Sequence, residues 1–435
     1  MKTKILLVAL MICSWLLSAC QPAQVQPVST ATIPPPTNTP APTDTPVPTN
    51  TPIPPTATNT AFVPKATLKI AVAVSMTGNW GSYGTDIFHA SELAVSQLSN
   101  PLELMGYAVE LVPYDDMDDL DTAVSQAKEL VEDMDILCGV GHFTSRLTIQ
   151  ATEVYHRAGL AFISPSSTNT DVTKRGYLEV NRVIGRDDIQ GIAGAHFAQE
   201  RGFKAIYLIY NEDIAYMQKN ADYFRREVIQ LGLNLVGELS TNNPSSFETV
   251  INKIIESDTD LVYFAGSVEQ VGNFVNQARN AGYTGAVLGI DSIATQNLLN
   301  FAGPFAIDGG GMYYTSGANL ESMPDAAQFA QDFQSRFGSE PLFFTPYAYD
   351  ATGICLKAIE EASKAKDGDI PTRGEVANAI RALVDYPGIT GKFTFTSKGD
   401  PKLSKYHVIQ ITTIDPNNWG ANPVVVTYEI ESPDQ

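Results

Sequence analysis

Residues 68–99, LKIAVAVSMTGNWGSYGTDIFHASELAVSQLS, contain the pattern that decides the fold. The run opens with Leu68–Val74, apolar at every position but Lys69. So continuous an apolar run suits a strand buried on both faces, as in a parallel sheet. Thr77-Gly78-Asn79 then gives a turn signal. From His89 to Leu98 the apolar positions recur at helical spacing. Strand, turn and amphipathic helix make one βα unit.

The unit repeats down the chain. VELVPYD reads as a strand and TAVSQAKELVEDM as a helix. ILCGV, AFISP, KAIYLIY, NLVGELS, DLVYFAG and AVLGID are further strands, most followed by a helical pattern. Such alternation predicts parallel sheets covered by helices. The number of βα units exceeds one compact sheet, so two doubly wound domains are the economical solution. Ligands in such folds bind beyond the carboxyl ends of the strands. After Ile389 the pattern changes: FTFT, HVIQIT and VVVTYEI read as consecutive antiparallel strands.

The chain has 435 residues, enough for two sizeable cores. Acidic residues outnumber basic ones 48 to 28, for a formal charge of −20. Nucleic acid is not an expected partner, because binding to phosphate needs a basic surface. With four cysteines, five histidines and no CxxC pair, neither a disulfide scaffold nor a structural zinc site is expected.

The N-terminus points outside the cytoplasm. Lys2 and Lys4 precede an apolar stretch from Ile5 to Leu17, too short to span a bilayer and the size of a signal-peptide core. It ends in Leu17-Ser18-Ala19-Cys20, which resembles the lipobox of bacterial lipoproteins. That resemblance implies cleavage before Cys20 and lipid on its thiol. Gln21 to about Lys65 is a Thr/Pro-rich stretch with almost no apolar side chains. It cannot bury enough surface to offset the entropy of ordering. In a polyproline conformation, at about 3.1 Å per residue, it reaches roughly 100 Å from a membrane.

A family resemblance runs through nearly all the chain after this stalk. LKIAVAVSMTGNWGSYGTDIFHASELAVSQLS resembles the opening of the type I periplasmic binding proteins of the leucine/isoleucine/valine-binding class. The likeness continues through VPYDDMDDLDTAVSQAKELV, GVGHFTSRLTIQATEVYHRAGLAFISPSSTNTDVTKRGY and RVIGRDDIQG. It resumes in DLVYFAGSVEQVGNFVNQARNAGYTGAVLGID and PYAYDATGICLKAIEEA. It implies an α/β fold of two doubly wound lobes joined by three crossing strands. The crossings are expected near Arg186, at Thr315–Gly317, and near the last hairpin. The boundaries that follow are 1–19 for a lipoprotein signal peptide and 20–65 for the lipidated cysteine and stalk. The N-terminal lobe takes 66–186 plus 318–390, and the C-terminal lobe 187–317 plus 391–432.

A zwitterionic ligand needs donors for its carboxylate and acceptors for its ammonium. Ser145 follows the strand ILCGVGHF and opens a helix; Ser166, Ser167 and Thr168 follow AFISP. Both places lie at strand carboxyl ends, where helix N-termini supply free N–H groups. The resemblance puts Ser145, Ser166 and Thr168 at carboxylate-binding positions, although serine and threonine at such sites also serve as N-caps. Asp291, ending AVLGID, and Asp187, just past the first crossing, are the candidates for the ammonium. Each is also a candidate helix cap. In the family the acid at the Asp291 position is often the longer Glu. Tyr83 and Tyr216 match ligand-stacking positions, and Trp80 shares the loop of Tyr83. Ser267 stands where the family often has tyrosine.

Other motifs are set aside. Asp115, Asp116, Asp118, Asp119 and Asp121 lack the glycine and spacing of a calcium loop, and are expected to end a strand and precede a helix. His142 and Ser145 are too close in one loop to be an oriented dyad, so His142 is read as structural. Gly309-Gly310-Gly311 opens no helix and is not a phosphate cradle. The positions of a disulfide known in some family members carry Asp118 and Thr144, so Cys138 and Cys355 are expected to stay as buried thiols.

The resulting expectation is a solute-binding protein, with no catalytic residues, metal or cofactor. It captures an amino acid, branched-chain or related, or a small amide-like relative, by lobe closure and delivers it to the permease of an ABC importer. It is expected to be a monomer, held to the membrane by lipid on the extracytoplasmic side. A ligand-sensing receptor with the same fold is the alternative.

Overall fold

The computed structural model describes residues 63–242, 245–317 and 324–433. The signal peptide, Cys20 and nearly all of the stalk lie outside them. Two sheets form. The first is wholly parallel, in the order β2-β1-β3-β4-β5, from β1 Ala66–Val74, β2 Tyr107–Asp115, β3 Ile136–Gly141, β4 Ala161–Ser164 and β5 Val180–Arg182.

The second sheet begins with β6 Ile206–Tyr210, β7 Leu235–Ser240, β8 Leu261–Ala265, β9 Ala286–Gly289 and β10 Met312–Ser316. A small hairpin, β11 Tyr386–Pro387 and β12 Lys392–Phe393, stands apart. The chain then adds β13 Leu403–Ile411 and β14 Val424–Glu431 to the second sheet, in the order β14-β13-β10-β9-β8-β6-β7. These last two strands are antiparallel to their neighbours. Of the three C-terminal strands read from sequence, FTFT differs: only Phe393 joins the small hairpin, and Phe395 makes a single bridge to Pro401.

Helices fill the connections. α1 Gly81–Leu98, α2 Asn100–Leu104, α3 Leu120–Glu132 and α4 Ser145–Arg157 belong to the first lobe. α5 Asp187–Glu200, α6 Ala215–Gln230, α7 Glu248–Glu256, α8 Val268–Asn280 and α9 Leu299–Ala302 belong to the second. α10 Pro324–Phe337, α11 Thr345–Lys364 and α12 Arg373–Ala382 return to the first. Among the described residues no helix is long and apolar enough to cross a membrane.

Side chains alternate across β1 as strand geometry requires. Ile70 packs toward α11 and α12, and Val72 and Val74 toward α1 and α10. Ala71 and Ala73 face α3 and α4 on the other side. Burial on both faces explains why the strand carries no polar alternation. Gly84 lets α1 start tight against the end of β1: a Cβ there would lie 2.0 Å from the Ser75 carbonyl oxygen. The second sheet is sandwiched in the same way, between α7 and α8 on one face and α5 and α6 on the other.

The chain crosses between lobes three times. β5 runs through Arg186 into α5, β10 ends at Ser316 in the second sheet, and the return passes Asp400 into β13. Phe393 and Phe395 are buried in the first lobe's core, so the return crossing falls after residue 395 rather than at 390.

Cys138 and Cys355 are not thiols. They form a disulfide that ties β3 to α11 across 217 residues, with Cα atoms 5.9 Å apart. Helix and strand meet only through tertiary packing, so nothing in the sequence near either cysteine signals the pair. Closing so long a loop stabilises the fold by about 5.4 kcal/mol in the chain-entropy model.

Candidate functional site

The carboxyl ends of the first lobe's strands converge on one wall of the space between the lobes. After β1, Trp80 ends a turn and Tyr83 sits in the first turn of α1. Phe143 follows β3. Tyr83 and Phe143 stack with centroids 5.1 Å apart, Trp80 lies 5.2 Å from Phe143, and Phe344 meets Phe143 edge-on at 5.4 Å. This makes a four-ring apolar wall. Only Trp80 and Tyr83 were evident in the sequence; Phe344 comes from the loop before α11, more than two hundred residues away.

Polar loops lie beside the rings. Ser145 is the first residue of α4, and its Oγ accepts the Asn169 N–H at 3.3 Å. Ser166 donates its hydroxyl proton to the Phe143 carbonyl at 2.7 Å, which ties the two loops together and leaves that proton committed. The Thr168 carbonyl accepts the backbone N–H of Asp187 at 3.0 Å. None of Ser145, Asp187 and Asp291 takes the N-cap position that is the alternative reading of it. Each is the first residue of its helical turn, and the cap positions are Thr144, Arg186 and Ile290.

The second lobe supplies acids. The Tyr216 hydroxyl donates to the Asp291 carboxylate and lies 3.2 Å from Gln190 Oε1. Gln190 also accepts from Asn220 Nδ2 at 2.7 Å and donates to Thr315 Oγ1 at 3.0 Å. Gln190 escaped the sequence reading, although it lies one helical turn from Asp187. Burial pushes the Asp291 carboxyl up, against the pull of its bonds to Tyr216 and Gln190. Asp291 in turn raises Tyr83 on the opposite lobe, after burial itself, so the two walls are within electrostatic reach.

Asp187 is the most exceptional group. It is fully buried, and beyond the Thr168 side chain, whose hydrogen bonding pulls the carboxyl down, its oxygens have no hydrogen-bond partner among the described residues. Burial pushes it up to about 7; the Thr168 side chain and Arg182 pull it down, while Asp291 and Asp188 push it further up. The nearby arginines are already paired: Arg182, which pulls on Asp187, lies 2.7 Å from Asp400. Arg146 reaches Asp118, while Arg186 pairs with Asp188 at 2.6 Å and Asp400 at 2.9 Å.

A periplasmic binding protein family model matches residues 67–415. The chain belongs to the periplasmic binding protein family. An amino acid binding protein of Pseudomonas aeruginosa is 32% identical over 350 residues, covering 79% of this chain and 90% of the relative. A leucine-, isoleucine-, valine-, threonine- and alanine-binding protein of the same organism is 29% identical, again covering 79% and 90%. Among solved structures, a leucine-binding protein from Thermotoga maritima superposes with a TM-score of 0.68 at 23% identity, covering 84% of this chain and 99% of its own.

In this periplasmic binding protein the remaining singled-out residues are structural. Asp115 accepts from the Met76 and Thr77 N–H groups, and Asp119 caps α3 through Thr122. His142 is buried between Asp116 Oδ2 at 2.7 Å and the Tyr155 hydroxyl at 2.9 Å, and does not bond Ser145. Ser267 caps α8 with Gln270 in a reciprocal capping box. A cavity of about 910 Å³ lies behind the crossings, between the β11–β12 hairpin and the β13–β14 ribbon; none of the candidate ligand residues lines it.

Proposed function

We propose that this protein closes its two lobes on a small zwitterionic amino acid and passes it to an ABC importer, without catalysis. The observation that carries the reading is Asp187, buried with no donor among the described residues beyond the Thr168 side chain and close enough to Asp291 to be pushed up by it. A buried carboxylate without a partner is costly. With Arg146 and Arg186 already paired, the missing cation comes from the ligand: an ammonium between Asp187 and Asp291, held also by the Tyr216 side of the pocket. Ser145 and Thr168, with the Ser166 loop, then face the ligand's carboxylate. Trp80, Tyr83, Phe143 and Phe344 cover its apolar part.

The relatives that bind leucine and similar residues support a branched-chain or related ligand. The buried disulfide suits an oxidising, extracytoplasmic compartment. The Cys20 sequence supports a lipid anchor, with two or more acyl chains because one holds only marginally. The permease of the importer is the proposed partner.

A thermal-shift screen of amino acids tests the reading. A ligand at 100 times its dissociation constant stabilises the fold by about 2.7 kcal/mol. Leucine or a close relative is expected to do so, and failure of every zwitterionic amino acid to shift the melt would refute the proposal. For the anchor, Cys20→Ser is expected to release the protein or leave it uncleaved; unchanged membrane partitioning of cleaved protein contradicts it.

A further inference from the structure

Arg182, the last residue of β5, is fully buried and does not belong to the ligand set. Its Nη1 donates to the carbonyls of Ser167 at 2.8 Å and Asn169 at 2.9 Å. Its Nη2 donates to Thr173 Oγ1 at 2.7 Å, and its Nε lies 2.7 Å from Asp400 Oδ1. Asp400, itself buried on the returning chain, also accepts from Thr173 Oγ1 at 2.7 Å and from Arg186 Nη1 at 2.9 Å. The Arg182 N–H bonds the Gly399 carbonyl at 2.9 Å. One guanidinium thus joins the first crossing, the third crossing and the loop after β4.

The two gripped carbonyls flank Thr168. A trans peptide is planar, with its C=O and N–H pointing opposite ways, and the described chain has no cis bond. Holding the Ser167 carbonyl on Arg182 therefore turns the Thr168 N–H away from Arg182. No backbone carbonyl among the described residues accepts that N–H. The carbonyl between the two gripped ones, that of Thr168, is taken by the Asp187 N–H. Three successive carbonyls are fixed, two by Arg182 and one by the head of α5, and the loop's backbone orientation is set before any ligand arrives.

We propose that Arg182, itself held by Asp400, is the positioning residue of this loop: it fixes the peptides around Thr168 so that the Thr168 N–H faces a ligand carboxylate, and it ties that geometry to the third crossing. The proposal rests on the reading that this loop binds the carboxylate of an amino acid. Lysine cannot replace the arginine here, because an ammonium lacks the planar fork that spans two carbonyls and a carboxylate at once. Each lost or misdirected hydrogen bond to a charged ligand group is expected to weaken binding by about tenfold or more.

The test uses the full chain and two probes, L-leucine and its carboxamide L-leucinamide, titrated calorimetrically against wild type, Arg182→Lys and Asp400→Asn. The amide keeps the ammonium and the side chain and lacks the carboxylate. Wild type is expected to prefer leucine. In Arg182→Lys leucine binding should fall by about tenfold or more while leucinamide changes by less than about threefold, so the preference collapses; Asp400→Asn should move it in the same direction by less. Equal weakening of both probes, in step with a lowered melting temperature, overturns the positioning role and leaves Arg182 merely structural. A wild type that does not distinguish the two probes overturns the carboxylate reading itself, and with it this proposal.

Discussion

Asp187, at the head of α5, and Asp350, inside α11, share deep burial, and burial pushes each carboxyl up to about 7. Their surroundings differ. Asp350 accepts from the Ile389 N–H at 2.8 Å, the Thr390 N–H at 2.9 Å and the Thr390 hydroxyl at 2.5 Å. These donors belong to the turn between β11 and β12, so Asp350 pins the hairpin to the first lobe. Among the described residues Asp187 has no such set of donors, only the Thr168 side chain. The same chemical group with the same displaced titration thus has a structural role in one place and an open valence in the other. Completeness of hydrogen bonding, rather than burial, separates scaffold from site.

Substitutions can break this comparison, and the largest effect is expected at the scaffold. Asp350→Ala strands two backbone N–H groups and a threonine hydroxyl, and should destabilise the fold by about 3–5 kcal/mol in a urea melt. Leucine affinity of the folded fraction should stay within about threefold of wild type. Asp291→Asn should do the reverse, leaving the melt nearly unchanged and weakening leucine by roughly two to three orders of magnitude, read by calorimetry.

Asp187 sharpens the comparison through pH. Its folded value of about 7 stands above its ordinary 3.8, so the native state holds the proton more tightly than the unfolded chain. The cost is absent below about pH 4, grows as pH climbs, and is complete above about pH 7. Ligand-free protein should therefore lose stability across that window, and Asp187→Asn should recover about 1–3 kcal/mol at pH 8. A ligand ammonium favours the ionised acid, so leucine binding should tighten from pH 5 to pH 8 in wild type and much less in the variant. Parallel curves for the two proteins would remove Asp187 from the site. Ser145→Ala carries the smallest effect, about tenfold in leucine affinity with no pH signature of its own.

Much of the fold was legible because its signals are local. β1, its turn and α1 declare themselves in one stretch by apolar run, glycine and helical spacing. The candidate loops could be named because parallel strands deliver their carboxyl ends to one side. What stayed hidden depends on elements meeting from afar. The Cys138–Cys355 bond and the Phe143–Phe344 contact each join α11 or its approach to β3 or the loop after it, and neither partner marks the other in sequence. Arg182 sits in a three-residue strand too short for any periodicity, and only the packed hinge shows its grip on Ser167 and Asn169. The alternative capping role misses by one residue at Ser145, Asp187 and Asp291, because a residue type favoured at a cap does not fix where the first turn begins.

The central claim is that the acids between the lobes receive a ligand's ammonium. Calorimetric titration of the wild-type chain with L-leucine and with 4-methylpentanoate, the same molecule without its amino group, tests it most directly. The account predicts that leucine binds at least about a hundredfold more tightly, since the deaminated acid leaves Asp187 and Asp291 buried without a cation. Equal affinity for the two would contradict it and reassign the cleft to neutral or anionic solutes.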